Sequence, residues 1–168
     1  MKRDYVFLVD EAHNLVDRAR KMYSAEVIKE DFLAMKRLIE DKSKRLTNAL
    51  ERCNKDLLAF KRECHDGYKV ISDEDAFAHH MLRLAEEISL FMEKNKDFPY
   101  MKELLEFFFK IKHYNDIHDE LDENYIVYTT TREYCEAYKA YLNLTEEEKS
   151  NTNFIPQKYE IPLELEKE

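Results

Sequence analysis

Residues 29–64 read KEDFLAMKRLIEDKSKRLTNALERCNKDLLAFKREC, and the spacing of their apolar side chains decides the class of the fold. Phe32, Met35, Ile39, Leu46, Ala49, Cys53, Leu57, Phe60 and Cys64 follow the alternating three- and four-residue steps of a heptad. Lys42 fills the one seam position that is polar. The pattern predicts a continuous helix from Lys29 to about Glu63, roughly 50 Å long at the usual rise per residue. Its apolar stripe has to be covered by partner helices. Gly67 is placed to end it, since glycine alone enters a left-handed turn without penalty.

Outward from this run the same class of element recurs. The 168 residues contain one glycine and three prolines, Pro99, Pro156 and Pro162, too few turn formers for many short strands. Charged residues make up 38%, with Glu, Lys and Leu prominent. The expected fold is mainly α. A second helix is predicted from about Asp73 to Asn95, with Phe77, Met81, Leu84, Ile88 and Phe91 on one face. Ser72 stands before Asp75 at capping-box spacing. Pro99 suits the first turn of a third helix carrying Met101, Leu104, Leu105, Phe108, Ile111 and Tyr114. The run Phe107-Phe108-Phe109 implies that more than one face of that helix is covered. Tyr68 to Ile71 reads as a short extended piece. Asn124–Thr131, NYIVYTTT, reads as a short strand of β-branched and aromatic residues. Arg132 to Leu144 reads as a helix, and a loose acidic tail is expected beyond Thr145.

The charge is unevenly spread. Residues 1–102 hold 20 basic and 20 acidic side chains, whereas residues 103–168 hold 7 against 16. The second half should repel phosphates, and five of its tyrosines (Tyr125, Tyr128, Tyr134, Tyr138 and Tyr141) read as core rather than as base-stacking groups. Lys29–His65 carries 10 basic against 7 acidic residues, so Lys36, Arg37, Lys44 and Arg45 are the candidate contacts to single-stranded DNA. The three cysteines, Cys53, Cys64 and Cys135, are widely spaced with no C-x-x-C pair, as expected of reduced thiols, and Cys53 lies on the apolar face. His79 and His80 are adjacent on a helix and point apart. His113 and His118 with Asp116 and Glu120 read as a solvated helix end. No apolar run approaches the roughly 18 residues of a membrane span, and no signal-peptide core is present. The expectation is a soluble, cytoplasmic chain without a membrane partner.

The N-terminal stretch carries the chemistry. Residues 5–26 read YVFLVDEAHNLVDRARKMYSAE: an apolar, β-branched run, then Asp10, Glu11, Ala12 and His13. The run has the length and composition of a buried parallel strand. A carboxylate pair at the carboxyl end of such a strand sits where open α/β sheets place their ligand chemistry. Asp10 is suited to holding Mg2+, directly or through water, and Glu11 to orienting or deprotonating the attacking water.

Asp10-Glu11-Ala12-His13 after a hydrophobic strand resembles the Walker B motif, the DEAH box, of superfamily-two helicases. With Asn14-Leu15-Val16-Asp17-Arg18-Ala19-Arg20 and Met22-Tyr23-Ser24-Ala25, the stretch resembles the XPD/DinG group of DNA helicases in particular. The resemblance implies an ATP-dependent DNA helicase in which Asp10 and Glu11 face ATP and Mg2+ and His13 couples that site to the remaining motor domains. It also implies that the segment after the DEAH box forms a helical arch-like insertion beside the path of single-stranded DNA. The division expected from it is 1–26 as the DEAH segment of a motor domain, 27–144 as the arch-like domain and 145–168 as tail. An iron–sulfur cluster is implied for some such helicases, but its cysteines precede the DEAH box, and none of the three here is assigned to one. The sequence departs from the family pattern in having no G-x-x-x-x-G-K-[ST] phosphate loop and none of the later motor motifs. The chain is therefore expected to be a helicase fragment, inactive alone. The alternative is a stand-alone helical or coiled-coil interaction module carrying a relict DEAH string.

Overall fold

The Lys29–Glu63 run forms two helices rather than one. In the computed structural model, which describes residue 18 and residues 22–64, 67–72 and 74–153, α1 spans Lys29–Ile39 and α2 spans Lys44–Glu63. Lys42 and Ser43 both donate their N–H groups to the Ile39 carbonyl, at 2.7 and 3.2 Å, which closes a turn. The Ser43 hydroxyl then accepts the Leu46 N–H at 3.3 Å and caps the new helix. The chain folds back on itself, because Lys36 Nζ lies 2.9 Å from Glu51 Oε1. In an unbroken helix those two residues would be separated by roughly 22 Å along the axis. The physical reason for the break is Lys42. A continuous seam would bury its ammonium without a partner, whereas the turn leaves it exposed.

The seam survives the break as far as Cys53, while Leu57, Phe60 and Cys64 beyond it are only half-buried. Phe32, Met35 and Ile39 of α1 and Leu46, Ala49, Leu50 and Cys53 of α2 are buried. Two more helices complete this core. Helix α3 is Asp75–Lys94 and buries Phe77, Ala78, Met81, Leu84, Ile88 and Phe91. Helix α4 is Met101–Asp119 and buries Leu104, Phe107 and Ile111. Edge-on aromatic pairs stitch the helices together: Phe32 with Phe107 at 5.2 Å and Phe77 with Tyr114 at 5.4 Å. Each fully buried aliphatic or Phe side chain contributes roughly 1.5–3 kcal/mol.

Helix α4 covers less than its apolar residues imply. Phe107, not Phe108, is its central buried phenylalanine, while Leu105 is 41% and Phe109 59% exposed. A single stripe faces the core, and three consecutive positions cannot share one helical face. Pro99 lies in the turn before α4, where the Met101 N–H donates to the Phe98 carbonyl at 3.1 Å and Tyr100 keeps non-helical dihedrals. The capping box expected at Ser72 and Asp75 is not formed as such: Asp75 itself opens α3, and Asp73 lies outside the described residues.

The described residues divide into two compact units, residues up to Lys55 with Asp75–Asn124, and Asp56–Glu74 with the chain from Tyr125 onward. The second unit is built on a two-stranded antiparallel sheet. Strand β1, Tyr68–Val70, pairs with β2, Tyr128–Thr130, in the register Tyr68↔Thr130 and Val70↔Tyr128. The expected strand at 124–131 is thus shorter, and it needs the extended piece at Tyr68 as partner because an isolated strand leaves its ladder unpaired. Gly67 has φ +79°, and a Cβ there would meet the Tyr134 Cβ at 2.9 Å, so both backbone and space demand glycine.

Helix α5, Arg132–Leu142, follows, with the Thr131 hydroxyl accepting the Tyr134 N–H at 3.2 Å. Beyond Thr145 the loose tail is corrected over its first part: α6, Glu146–Asn151, forms on a Thr145/Glu148 capping box. The tyrosines are corrected too. Tyr128 is 54% and Tyr138 40% exposed, and they line a row of rings running from Tyr128 over Tyr68 and Tyr134 to Tyr138. The fold is mainly α. No described helix is long and apolar enough to cross a membrane.

Leu46 is fully buried on the seam whereas Leu105 faces out, so truncating each to alanine separates core from surface. Denaturant unfolding should show a loss of about 2–5 kcal/mol for Leu46→Ala and within about 0.5 kcal/mol for Leu105→Ala.

Candidate anion site on the helical hairpin

The charged residues that come together do so between α2 and α3. On α2, Arg45 and Arg52 stand seven residues apart with Asn48 between them. On α3, His80, Arg83 and Glu87 occupy positions three and four residues apart, and therefore one face. The two rows line a surface cleft of about 130 Å³, with the small side chain of Ala49 on the α2 side. Arg45 lies opposite Glu87, so α2 and α3 meet through these rows.

Glu87 is the anchor. It is almost entirely buried, which a carboxylate tolerates only with partners, and two guanidiniums supply them. Arg45 Nη2 lies 3.2 Å and Arg83 Nη2 3.9 Å from the same oxygen, Glu87 Oε1. Both arginines keep most of their surface in solvent, at 71% and 52%. Arg52 is exposed at the cleft and has no ion pair among the described residues. One acid thus holds two like charges side by side, and a third cation stands next to them.

The four cations expected from sequence are placed differently from one another. Arg45 belongs to the cleft. Lys36 spans from α1 to α2, pairing with Glu51 and, at 3.7 Å, with Glu40. Arg37 and Lys44 are exposed. Asp10, Glu11 and His13 lie outside the described residues. The cleft partners Arg52, Arg83, His80 and Glu87 escape a reading by local charge, because their signal is a helical spacing shared by two segments that meet only after folding. Elsewhere His113 donates to the Ser24 carbonyl at 3.0 Å, and no group of three or more His, Cys, Asp or Glu is placed to hold a metal among the described residues. Cys53 is buried, and Cys64 and Cys135 are half-buried free thiols.

No protein family, curated protein or solved structure matches the chain.

The Lys36–Glu51 contact is a surface pair whose titration reports the fold-back. The hydrogen bond from Lys36 holds the Glu51 carboxyl below its ordinary 4.5, and the same bond holds the Lys36 ammonium above its ordinary 10.5. A depressed carboxylate stabilises above its unfolded value and loses that contribution as pH falls through the folded one. A raised ammonium stabilises below its unfolded value and loses that contribution as pH rises through the folded one. Urea midpoints should therefore favour the native chain over Glu51→Gln at neutral pH, with the gap closing on acidification below the ordinary glutamate range.

Proposed function

We propose that this chain is the DEAH-box and helical-insertion segment of an ATP-dependent DNA helicase of the XPD/DinG type. The observation that carries the reading is the sequence YVFLVDEAH at residues 5–13, continued by NLVDRARKMYSAE. An apolar run ending in two acids and a histidine provides what phosphoryl transfer to water requires on one side of its site. Asp10 would hold Mg2+, for which a hard carboxylate oxygen is a suitable donor. Glu11 orients the attacking water or takes its proton, and His13 links that position to neighbouring motor parts. When bound, Mg2+ supplies charge neutralisation at the β- and γ-phosphates.

Two features support the wider reading. The described chain after residue 26 is a set of packed helices, as expected of an arch-like insertion. The basic excess lies within Lys29–His65, the segment where contact with single-stranded DNA is expected, while the acidic excess of the chain lies after residue 102. The phosphate-cradling amides and lysine are absent from this sequence, so ATP hydrolysis belongs to the assembled helicase with its remaining motor domains. A cytoplasmic location is part of the same proposal. Any iron–sulfur cluster belongs to the parent helicase and is not held by Cys53, Cys64 or Cys135.

The test uses the helicase restored to full length. Glu11→Gln keeps the size of the side chain and removes the base, so nucleotide binding should persist while hydrolysis falls by about 10²–10⁴-fold. Asp10→Asn should weaken Mg2+-dependent nucleotide binding as well. Wild-type turnover by the Glu11→Gln protein would sink the assignment, and the isolated chain should show no ATPase activity.

A further inference from the structure

We propose that the outward face of α4 is a self-pairing surface, on which two copies of this chain meet antiparallel about a two-fold axis at Phe109. The proposal rests on α4 alone and takes nothing from the helicase reading. Leu104, Phe107, Ile111 and Asn115 turn one side of α4 to the core. At 3.6 residues per turn the opposite side carries Lys102, Leu105, Glu106, Phe109 and Asp116, with Lys112 at its border. All six are exposed. Phe109 is the anomaly among them: it is 59% exposed, although a phenylalanine gains by leaving water. Its ring rests against Phe108, with centroids 6.0 Å apart, which supports it from one side.

The charges around Phe109 identify the partner. Lys102 and Glu106 precede it by seven and three residues, and Lys112 and Asp116 follow it by three and seven. The positions are symmetric about the ring and the signs are reversed. When two such helices run antiparallel with Phe109 on Phe109, Lys102 of each copy faces Asp116 of the other, and Glu106 faces Lys112. Every facing pair is then opposite in charge. A parallel arrangement sets each charge against itself. A slip of one turn sets Lys102 against Lys112 in one direction and Glu106 against Asp116 in the other. The attractive register is isologous, so it closes at two copies.

The charges are free to pair in this way. Lys112 and Asp116 have no ion pair among the described residues, and Lys102 Nζ lies 4.0 Å from Glu106 Oε1 at the surface. Leu105 faces His113 of the second copy, whose Nε2 is held 3.0 Å from the Ser24 carbonyl of its own chain. One helix face is a small seat. Two helices packed along a length of roughly 28 Å bury well under the roughly 1,200 Å² of a standard interface, so the dimer is weak and depends on concentration.

The experiment is sedimentation equilibrium of the full chain from about 10 µM to about 1 mM, at about 0.15 M salt. There a screening length of about 8 Å leaves facing pairs attractive and mutes the repulsion between two chains of net charge −9. Variants are Phe109→Ala, Lys102→Glu and Asp116→Lys, with Lys96→Glu, exposed in the turn after α3, as the control of equal charge change. Wild type should pass from monomer to dimer across this range and go no further. Phe109→Ala should weaken association at least about 10-fold. Lys102→Glu and Asp116→Lys each make two facing pairs repulsive and should weaken it by about 5–30-fold. Lys96→Glu should stay near wild type.

Mixing decides between a lost interface and a damaged fold. Combined in equal amounts, the Lys102→Glu and Asp116→Lys chains should dimerise with each other about as well as wild type does with itself, because pairing between the two variants restores opposite signs at both contacts. A misfolded variant would not be rescued in this way. Wild type that is still monomeric at about 1 mM would overturn self-pairing and leave the face to a helix of another protein. A dimer indifferent to Phe109→Ala, or a mixture no tighter than either variant alone, would overturn α4 as its seat.

Discussion

The turn at Glu40–Ser43 is the constraint on which the rest of this structure depends. A heptad stripe running through Lys42 would have produced one long rod needing an external partner along its whole length. Reversing the chain there brings the two halves of the stripe together in one core, with Ile39 and Leu46 both inaccessible to solvent. Nothing about the turn is costly. A lysine leaves the seam, a serine hydroxyl satisfies one of the orphan N–H groups of the new helix, and Lys36 reaches Glu51 across the gap. The pair is a consequence of the reversal and supplies little of its driving force, because both groups remain in contact with water.

The cleft inherits its shape from the same hairpin. Arg45 sits in the first turn of α2, whose start is set by Ser43, and Arg52 lies two turns further on the same face. Had the helix continued from α1, the angle of Arg45 relative to α3 would be fixed by residues upstream and not by the cap. The position of Glu87 on α3 is set by the apolar ladder Leu84, Ile88 and Phe91 beside it. Packing therefore brings the carboxylate to the edge of the core, and the arginines follow it. In this order of causes, hydrophobic burial places an acid at the edge of the core, and that acid draws two largely exposed guanidiniums to its side.

Much of this was legible before folding was considered. The period of Phe77, Met81, Leu84, Ile88 and Phe91 marks α3 and its buried face without ambiguity, and Gly67 marks a left-handed turn. Three things were hidden for identifiable reasons. Ser43 is a cap only if the helix stops, and the strong heptad on both sides argued that it does not. Phe108 and Phe107 differ by 100° on the helix, and the choice between them is made by Phe32 across the core. The cleft was half legible: Arg45 stands in the basic segment, but Arg52, Arg83 and Glu87 become one site only through tertiary contact. The DEAH string is the reverse case, chemistry written plainly in four letters whose meaning depends on motor parts elsewhere.

The hairpin is open to direct measurement. Spin labels on Glu30 and Lys55, introduced through a non-natural residue so that Cys53, Cys64 and Cys135 stay untouched, would report their separation by pulsed dipolar spectroscopy. Both positions are on exposed faces of α1 and α2. A folded-back chain predicts a single short distance, below about 25 Å even with the length of the labels included. A continuous helix over the same residues predicts roughly 38 Å between the backbones, and a distribution centred there would contradict the account.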